Sequence, residues 1–231
     1  MKILLFDIDG TLIRSGGAGK TAMESALRSA FGVPEVRNRI NFSGRTDPGI
    51  IREFLVDHDI DPSTANQSRM MQHYLEYLPR ALQQYRGIVL PGVVPLLTHL
   101  HKQEAILCGL LTGNVRAGAE VKLTHFELWD YFACGAFADG CLDRDDVARH
   151  GFREMERHLG RTVDPKDIWV IGDTPLDVQC ARAIGANAIA VTTGWHTREE
   201  LQASGADHVL DSLEGFDTTM LGGEWRVANG E

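Results

Sequence analysis

Two acids separated by one residue, Asp7 and Asp9, follow directly on the first apolar run of the chain, Ile3-Leu4-Leu5-Phe6. A buried strand does not normally end in paired acids, because like charges held close together destabilise each other. The pairing becomes favourable if a cation sits between the carboxylates or if one of them does chemistry. Gly10 and Thr11 permit a tight turn and set a hydroxyl beside the pair. Asp-Gly is also a common turn dipeptide, so Asp9 taken alone fits a plain turn residue. Two more apolar runs stop at polar clusters. Leu110-Leu111 ends in Thr112-Gly113-Asn114, and Val170-Ile171 ends in Gly172-Asp173 with Asp177 one helical turn on. Each cluster by itself is compatible with an ordinary strand-to-helix turn in which Thr112 or Asp173 caps the helix.

The elements that must position these residues can be read from apolar spacing and from breakers. Ile3–Phe6 reads as a short buried strand. Helical spacing runs from Gly19 to Phe31 and stops at Gly32 and Pro34. Asp47-Pro48 opens a second helix, with Asp47 as the expected N-cap. Pro62 opens a third, carrying Met70, Met71, Tyr74, Leu75 and Leu78, which Pro79 is expected to kink or end. From Gly87 onward strands and helices alternate. Strands are expected at 105–111, 167–171, 188–191 and 208–210, with helices at 93–103, after Asn114, at 146–159, at 175–184 and after Thr197. The glycine-rich tail from Leu221 reads as poorly ordered. Alternation of this kind implies a doubly wound α/β fold with a parallel sheet. Residues 1–14 and 87–231 then form a Rossmann-like core. Residues 15–86 form an inserted α-helical cap that leaves the sheet at its carboxyl edge, where open α/β sheets bind ligands. In a parallel sheet the three polar clusters share that edge.

Together, in order and spacing, the three clusters resemble the first, second and fourth signatures of the haloacid dehalogenase-like hydrolase superfamily. The resemblance covers the whole chain. It implies a phosphatase acting on a small phosphorylated metabolite through an aspartyl-phosphate. Asp7 would be the nucleophile, Asp9 the general acid and base, and Thr112 a donor to a phosphoryl oxygen. Gly10, Thr11, Gly113 and Asn114 would line the phosphate. Mg²⁺ suits a doubly anionic substrate facing a carboxylate nucleophile. The resemblance gives it the carboxylates of Asp7 and Asp173 and the backbone carbonyl of Asp9, with Asp177 orienting from behind. The third signature departs from the family's lysine. Lys122 stands too early, inside a helix, and Lys166 too late. Arg144 lies in the right window at a helix start, and the alternative for it is a solvated partner of its acidic neighbours. Gly44-Arg45-Thr46-Asp47 resembles the cap loop of the phosphoglycolate phosphatase-like branch, where Arg45 could reach an anionic group on the substrate or remain a surface residue. A phosphomutase of the β-phosphoglucomutase type, a haloacid dehalogenase and a non-catalytic binding protein on the same fold are the alternatives.

Composition narrows the partners. A net charge of -9 argues against nucleic acid. No apolar stretch reaches the ~18 residues of a membrane span, and Asp7 interrupts the first apolar segment too early for a signal peptide. Cys108, Cys134, Cys141 and Cys180 form no Cys-x-x-Cys pair, which fits reduced thiols in the cytoplasm. The chain is expected to be a monomer or a homodimer. Gly16-Gly17-Ala18-Gly19-Lys20-Thr21 mimics the end of a P-loop, but Arg14 stands where its first glycine belongs. His99-x-His101 lacks a nearby third ligand, and Asp139 to Asp146 lacks the ligand pattern of an EF-hand.

Overall fold

The computed structural model describes residues 1–37 and 39–222. A six-stranded sheet runs in the order β5-β4-β1-β6-β7-β8. Its strands are β1 (Lys2–Phe6), β4 (Ile106–Leu111), β5 (Cys134–Ala136), β6 (Ile168–Gly172), β7 (Asn187–Val191) and β8 (His208–Leu210), and every pairing is parallel. β1 is central, and its unbroken apolar run suits a strand covered on both faces. Leu4 and Phe6 pack with α4 (Val93–Leu100) and α5 (Arg116–His125). Ile3 and Leu5 point the other way, toward α6 (Arg144–Leu159) and α7 (Pro175–Ala183). This alternation reflects the two-residue period of a strand. α8 (Arg198–Ala203) completes the second layer through Leu201.

The chain leaves β1 and makes β4 and β5 on one side. It then returns to make β6, β7 and β8 on the other. The order therefore reverses between β1 and β6, the kind of position at which open α/β sheets form their binding crevice. Phe6 is level with Leu110 on β4 and with Ile171 on β6. The residues just beyond these three strand ends emerge together.

Between the first strand and Gly87 lie three helices, α1 (Ala18–Phe31), α2 (Asp47–Asp57) and α3 (Thr64–Gln84), with their own apolar cluster. Ala22, Met23, Ala26 and Leu27 of α1 pack with Met70, Tyr74, Leu78 and Leu82 of α3 and with Ile50, Ile51 and Phe54 of α2. Met70 is thus a core residue of this bundle. A two-stranded antiparallel ribbon of β2 (Ile13–Arg14) and β3 (Ile88–Val89) fastens the entry and exit of the helical segment. Three local expectations are corrected. Pro79 does not end α3, because Ala81 and Leu82 beyond it are buried in the bundle and hold the last turn. The cap of α2 is Thr46, whose Oγ1 accepts the N–H of Gly49 at 3.1 Å, while Asp47 turns its carboxylate inward. Leu221, at the head of the expected disordered tail, is buried in the core, and residues 223–231 lie outside the described ones. Among the described residues no helix is long and apolar enough to cross a membrane.

Candidate active site

Asp7 continues β1, with its N–H donating to the carbonyl of Ile171 at 2.9 Å. This ladder bond points its carboxylate toward Asp173, the first residue beyond β6. Asp7, Asp173 and Asp177 are all buried, and one oxygen of each lies within 4.8 Å of the others. Burial raises the Asp7 pKa to about 6, against the pull of Arg144, while Asp177 and Asp9 push it further up. Burial, with Asp177 and Asp7 beside it, holds Asp173 well above the ordinary carboxylate range. Three acids facing one guanidinium leave an excess of buried negative charge.

The shape of the site agrees with that charge. A side chain at Gly10 or at Gly194 would overlap the Asp173 carboxylate, so backbone closes in on that acid from two sides. Gly10 has φ +91°, a conformation that suits glycine. The Thr11 hydroxyl donates to Asp173 Oδ1 at 3.2 Å. Donors that are all oxygen, buried and over-charged fit a hard divalent cation such as Mg²⁺. Asp177 is occupied differently. Its Oδ2 accepts the N–H of Thr174 at 3.0 Å and the Thr174 hydroxyl at 2.7 Å, closing a capping box on α7, and its Oδ1 pairs with Arg144. Both oxygens are engaged, which suits an orienting role.

Arg144 starts α6 and is buried, and it is therefore not the solvated partner of its acidic neighbours. Nη2 pairs with Asp177, lies 3.5 Å from Asp7 Oδ1 and donates to the carbonyl of Leu111 at 3.4 Å. Asp177 and Asp7 hold its pKa well above the usual arginine value despite burial. Lys166 lies in the turn before β6 and does not line the cavity.

Thr112 directly succeeds β4 and is fully buried. Its Oγ1 accepts from the Asn114 side chain at 2.9 Å and from the Asn114 N–H at 3.3 Å, which leaves its own proton to donate. Asn114 Nδ2 also donates to Asp9 Oδ2 at 3.0 Å. Gly113 packs so closely on the carbonyl of Arg45 that a side chain there would collide with it, and the Gly113 carbonyl accepts the N–H of Asp47 at 2.7 Å. Gly113 thus joins the strand end to the Arg45-Thr46-Asp47 turn, while Asn114 links it to Asp9.

Lys122, too early along the chain for the third signature, nevertheless enters the site. Its Nζ donates to Asp9 Oδ2 at 2.6 Å and to Asn114 Oδ1 at 2.6 Å. Burial works against its charge, but Asp9 and Asp47 prevail and its pKa is raised. Asp47 is buried, accepts the N–H of Val115 at 2.9 Å, and is raised to about 6 by burial despite Lys122. A sequence signal for Lys122 exists. With Gly118, Ala119 and Leu123 it falls on the buried stripe of α5, where an unpaired lysine is costly. Arg45 lies on the cavity wall, but its guanidinium pairs with Glu53 of α2 and donates to the carbonyl of Asn41 at 3.4 Å.

Many of these groups line one cavity of about 540 Å³, with Thr112, Thr174 and Asp177 behind its wall. Asp7, Asp9, Asp173, Asn114, Lys122 and Arg144 belong to its wall on the sheet side. Met23, Phe42, Arg45, Asp47, Ile50 and Tyr74 belong to its wall on the helical side.

Comparison with known proteins gives the family. The family model for haloacid dehalogenase-like hydrolases matches residues 4–182, and a second one, HAD-hydrolase-like, matches residues 150–216. The chain is 29% identical over 214 residues to the probable phosphatase IndB of Dickeya dadantii, covering 91% of this chain and 90% of that protein. It is 28% identical over 222 residues to the phosphoglycolate phosphatase of Synechococcus elongatus, covering 92% and 93%. In fold it is similar to CbbY of Rhodobacter sphaeroides crystallised with phosphate, at TM-score 0.74 and 22% identity over 93% of this chain and 96% of that one. Asp7, Asp9, Thr112, Arg144, Asp173 and Asp177 all fall within the first matched span, and the chain belongs to the haloacid dehalogenase-like hydrolases, among the phosphatases related to phosphoglycolate phosphatase.

Proposed function

We propose that this chain is a Mg²⁺-dependent phosphatase that hydrolyses a small phosphate monoester through an aspartyl-phosphate on Asp7. The observation that carries the reading is the convergence of Asp7, Asp173 and Arg144 in one buried group, with Asp9 two residues beyond Asp7 and Thr112 at the end of the neighbouring strand β4. The carboxylates of Asp7 and Asp173 and the carbonyl of Asp9 would hold the metal, which when bound screens the charge of the phosphate from the nucleophile.

The chain's own groups carry the rest. An Asp7 carboxylate oxygen attacks phosphorus as the bond to the ester oxygen breaks. Asp9 supplies a proton to the departing alkoxide. Its Oδ2 is fixed by Lys122 and Asn114, so Oδ1 is the oxygen free to carry that proton. Asp9 then takes a proton from the water that attacks the aspartyl-phosphate, and the Asp7–phosphorus bond breaks to release phosphate. Thr112 donates to a phosphoryl oxygen, and Arg144 keeps the Asp7 charge from repelling its neighbours. Residues 15–86 act as the cap over the core of residues 1–14 and 87–231.

Phosphoglycolate, the substrate that several relatives are named for, is the first ester to assay. Phosphate release should require Mg²⁺, stop with excess chelator and vanish in Asp7→Asn, whose amide is isosteric but a poor nucleophile. Wild-type turnover by Asp7→Asn, or full activity under chelation, would overturn the proposal. Return of the phosphoryl group to an isomeric ester, with no free phosphate, would identify a phosphomutase instead.

A further inference from the structure

Trp195 stands at the cavity wall and is 87% exposed, the most exposed of the large apolar side chains among the described residues. An indole left in water forgoes a large burial gain. A mobile loop would account for such exposure, but this loop is fastened along its length. The Thr193 hydroxyl donates to the carbonyl of Gly10 at 2.6 Å, and Arg14 donates to the carbonyl of Thr193 at 2.5 Å. Gly194 is pressed against the Asp173 carboxylate so closely that no side chain fits there. On the far side His196 pairs with Glu200, and Thr197 closes the capping box of α8. The backbone on both sides of Trp195 is therefore held, one residue from the glycine that abuts a proposed metal ligand, while its ring has no cover.

The cavity offers the matching counterpart. Besides the acids its wall includes Ile13, Met23, Phe42 and Ile50. At 540 Å³ it holds about eighteen water-sized volumes of roughly 30 Å³ each, several times what a two-carbon phosphoester fills. An ester seated with its phosphate among Asp7, Thr112 and Asp173 must extend its alcohol part toward that apolar wall and the rim.

Building on the phosphatase reading, we infer that Trp195 is a stacking platform for the alcohol part of the substrate, and that the preferred phosphate monoesters carry a planar ring, as nucleoside monophosphates and aryl phosphates do. Flat rings cover an indole face with little loss of conformational freedom.

The test compares esters with and without a ring on the intact enzyme with Mg²⁺. KM and kcat are measured for uridine 5′-monophosphate, p-nitrophenyl phosphate, glycerol 2-phosphate and phosphoglycolate in the wild type, Trp195→Ala and Trp195→Phe. For the two ring esters Trp195→Ala should raise KM about tenfold, the effect of removing one aromatic stacking partner. Trp195→Phe should recover most of it. Values for the two ring-free esters should move less than about twofold. Binding is read separately in Asp7→Asn, where uridine 5′-monophosphate should quench the fluorescence attributable to Trp195 and should not do so once Trp195 is Ala. Equal KM changes on both ester classes, or none on either, would overturn the platform. No turnover of any of the four esters by the wild type, with ring-dependent quenching still seen in Asp7→Asn, would count against the phosphatase reading alone.

Discussion

Lys122→Met tests the electrostatic account of the cavity most sharply, because it removes a buried cation while keeping side-chain length. In the wild type Asp47 titrates near 6 instead of 3.8. Because the folded-state value is raised, the folded chain holds the proton more tightly than the unfolded chain does. The stability attached to Asp47 is therefore greatest at acid pH, falls as pH rises from 3.8 through about 6, and is lower by about 3 kcal/mol above that window. Lys122 limits this loss by favouring the carboxylate, and its own raised pKa keeps its charge constant from pH 5 to 8. Its ion-pair partner is Asp9, so what Asp47 loses on its removal is a through-space attraction; the buried carboxylate keeps the Val115 N–H, and the cost above that window is about 1–3 kcal/mol. At pH 5 Asp47 is protonated in both proteins. The remaining loss comes from the contact with Asp9, whose side chain is 41% exposed and easily hydrated, and a hydrogen bond to Asn114, together about 1–2 kcal/mol. Urea unfolding at pH 5 and pH 8 and constant ionic strength should thus give a clearly larger loss at pH 8. Lys122→Met combined with Asp47→Asn should recover about half of it. An equal loss at both pH values, or no recovery in the double variant, would refute the coupling of Lys122 to Asp47.

The same geometry sets two further outcomes. Arg144→Ala leaves Asp7, Asp173 and Asp177 without a cation and should lower stability by about 3–5 kcal/mol in chelator; Mg²⁺ should restore part of this through binding to the folded state, and Arg144→Lys should keep part of the turnover, so a thermal unfolding midpoint indifferent to Mg²⁺ would count against it. Arg45→Ala should raise KM for phosphoglycolate only about two- to threefold, since Glu53 already holds its guanidinium, and steady-state kinetics showing a tenfold or larger rise would mean that substrate displaces Glu53.

The sheet is legible in the sequence because three of its four inner strands are apolar runs with sharp polar ends. Ile3–Phe6, Ile106–Leu111 and Ile168–Gly172 form the middle of the sheet, and parallel pairing alone brings the polar residues at their carboxyl ends to one edge. Arg144 can be located from the window between Thr112 and Asp173, although only the fold shows it reaching across to Asp7. The features that escape the sequence depend on tertiary partners. The ribbon of Ile13–Arg14 with Ile88–Val89 has two residues in each strand, too few to leave a period. Asp47 reads as a cap because nothing local announces that the N–H of Val115 claims its carboxylate. For Lys122, distance from Thr112 along the chain misleads. Its place on the buried stripe of α5, about two turns of helix from Asn114, is the more informative coordinate.

The position of β1 has a consequence for how this enzyme comes into being. The strand that carries Asp7 is made first, yet its hydrogen-bonding neighbours are β4, where Lys2 meets Ile106, and β6, where Ile3 meets Ile168. On a ribosome the Asp7 strand must wait, unpaired and strongly apolar, while the helical segment is completed. It acquires its second neighbour only after β4, β5 and α6 have been made. Pairings this distant in sequence slow folding and prolong exposure of sticky edges. Premature termination anywhere before β6 would accordingly yield a product without Asp173 and without one whole side of the central strand. Chaperone demand during synthesis should therefore peak late, just before Ile168–Gly172 is released.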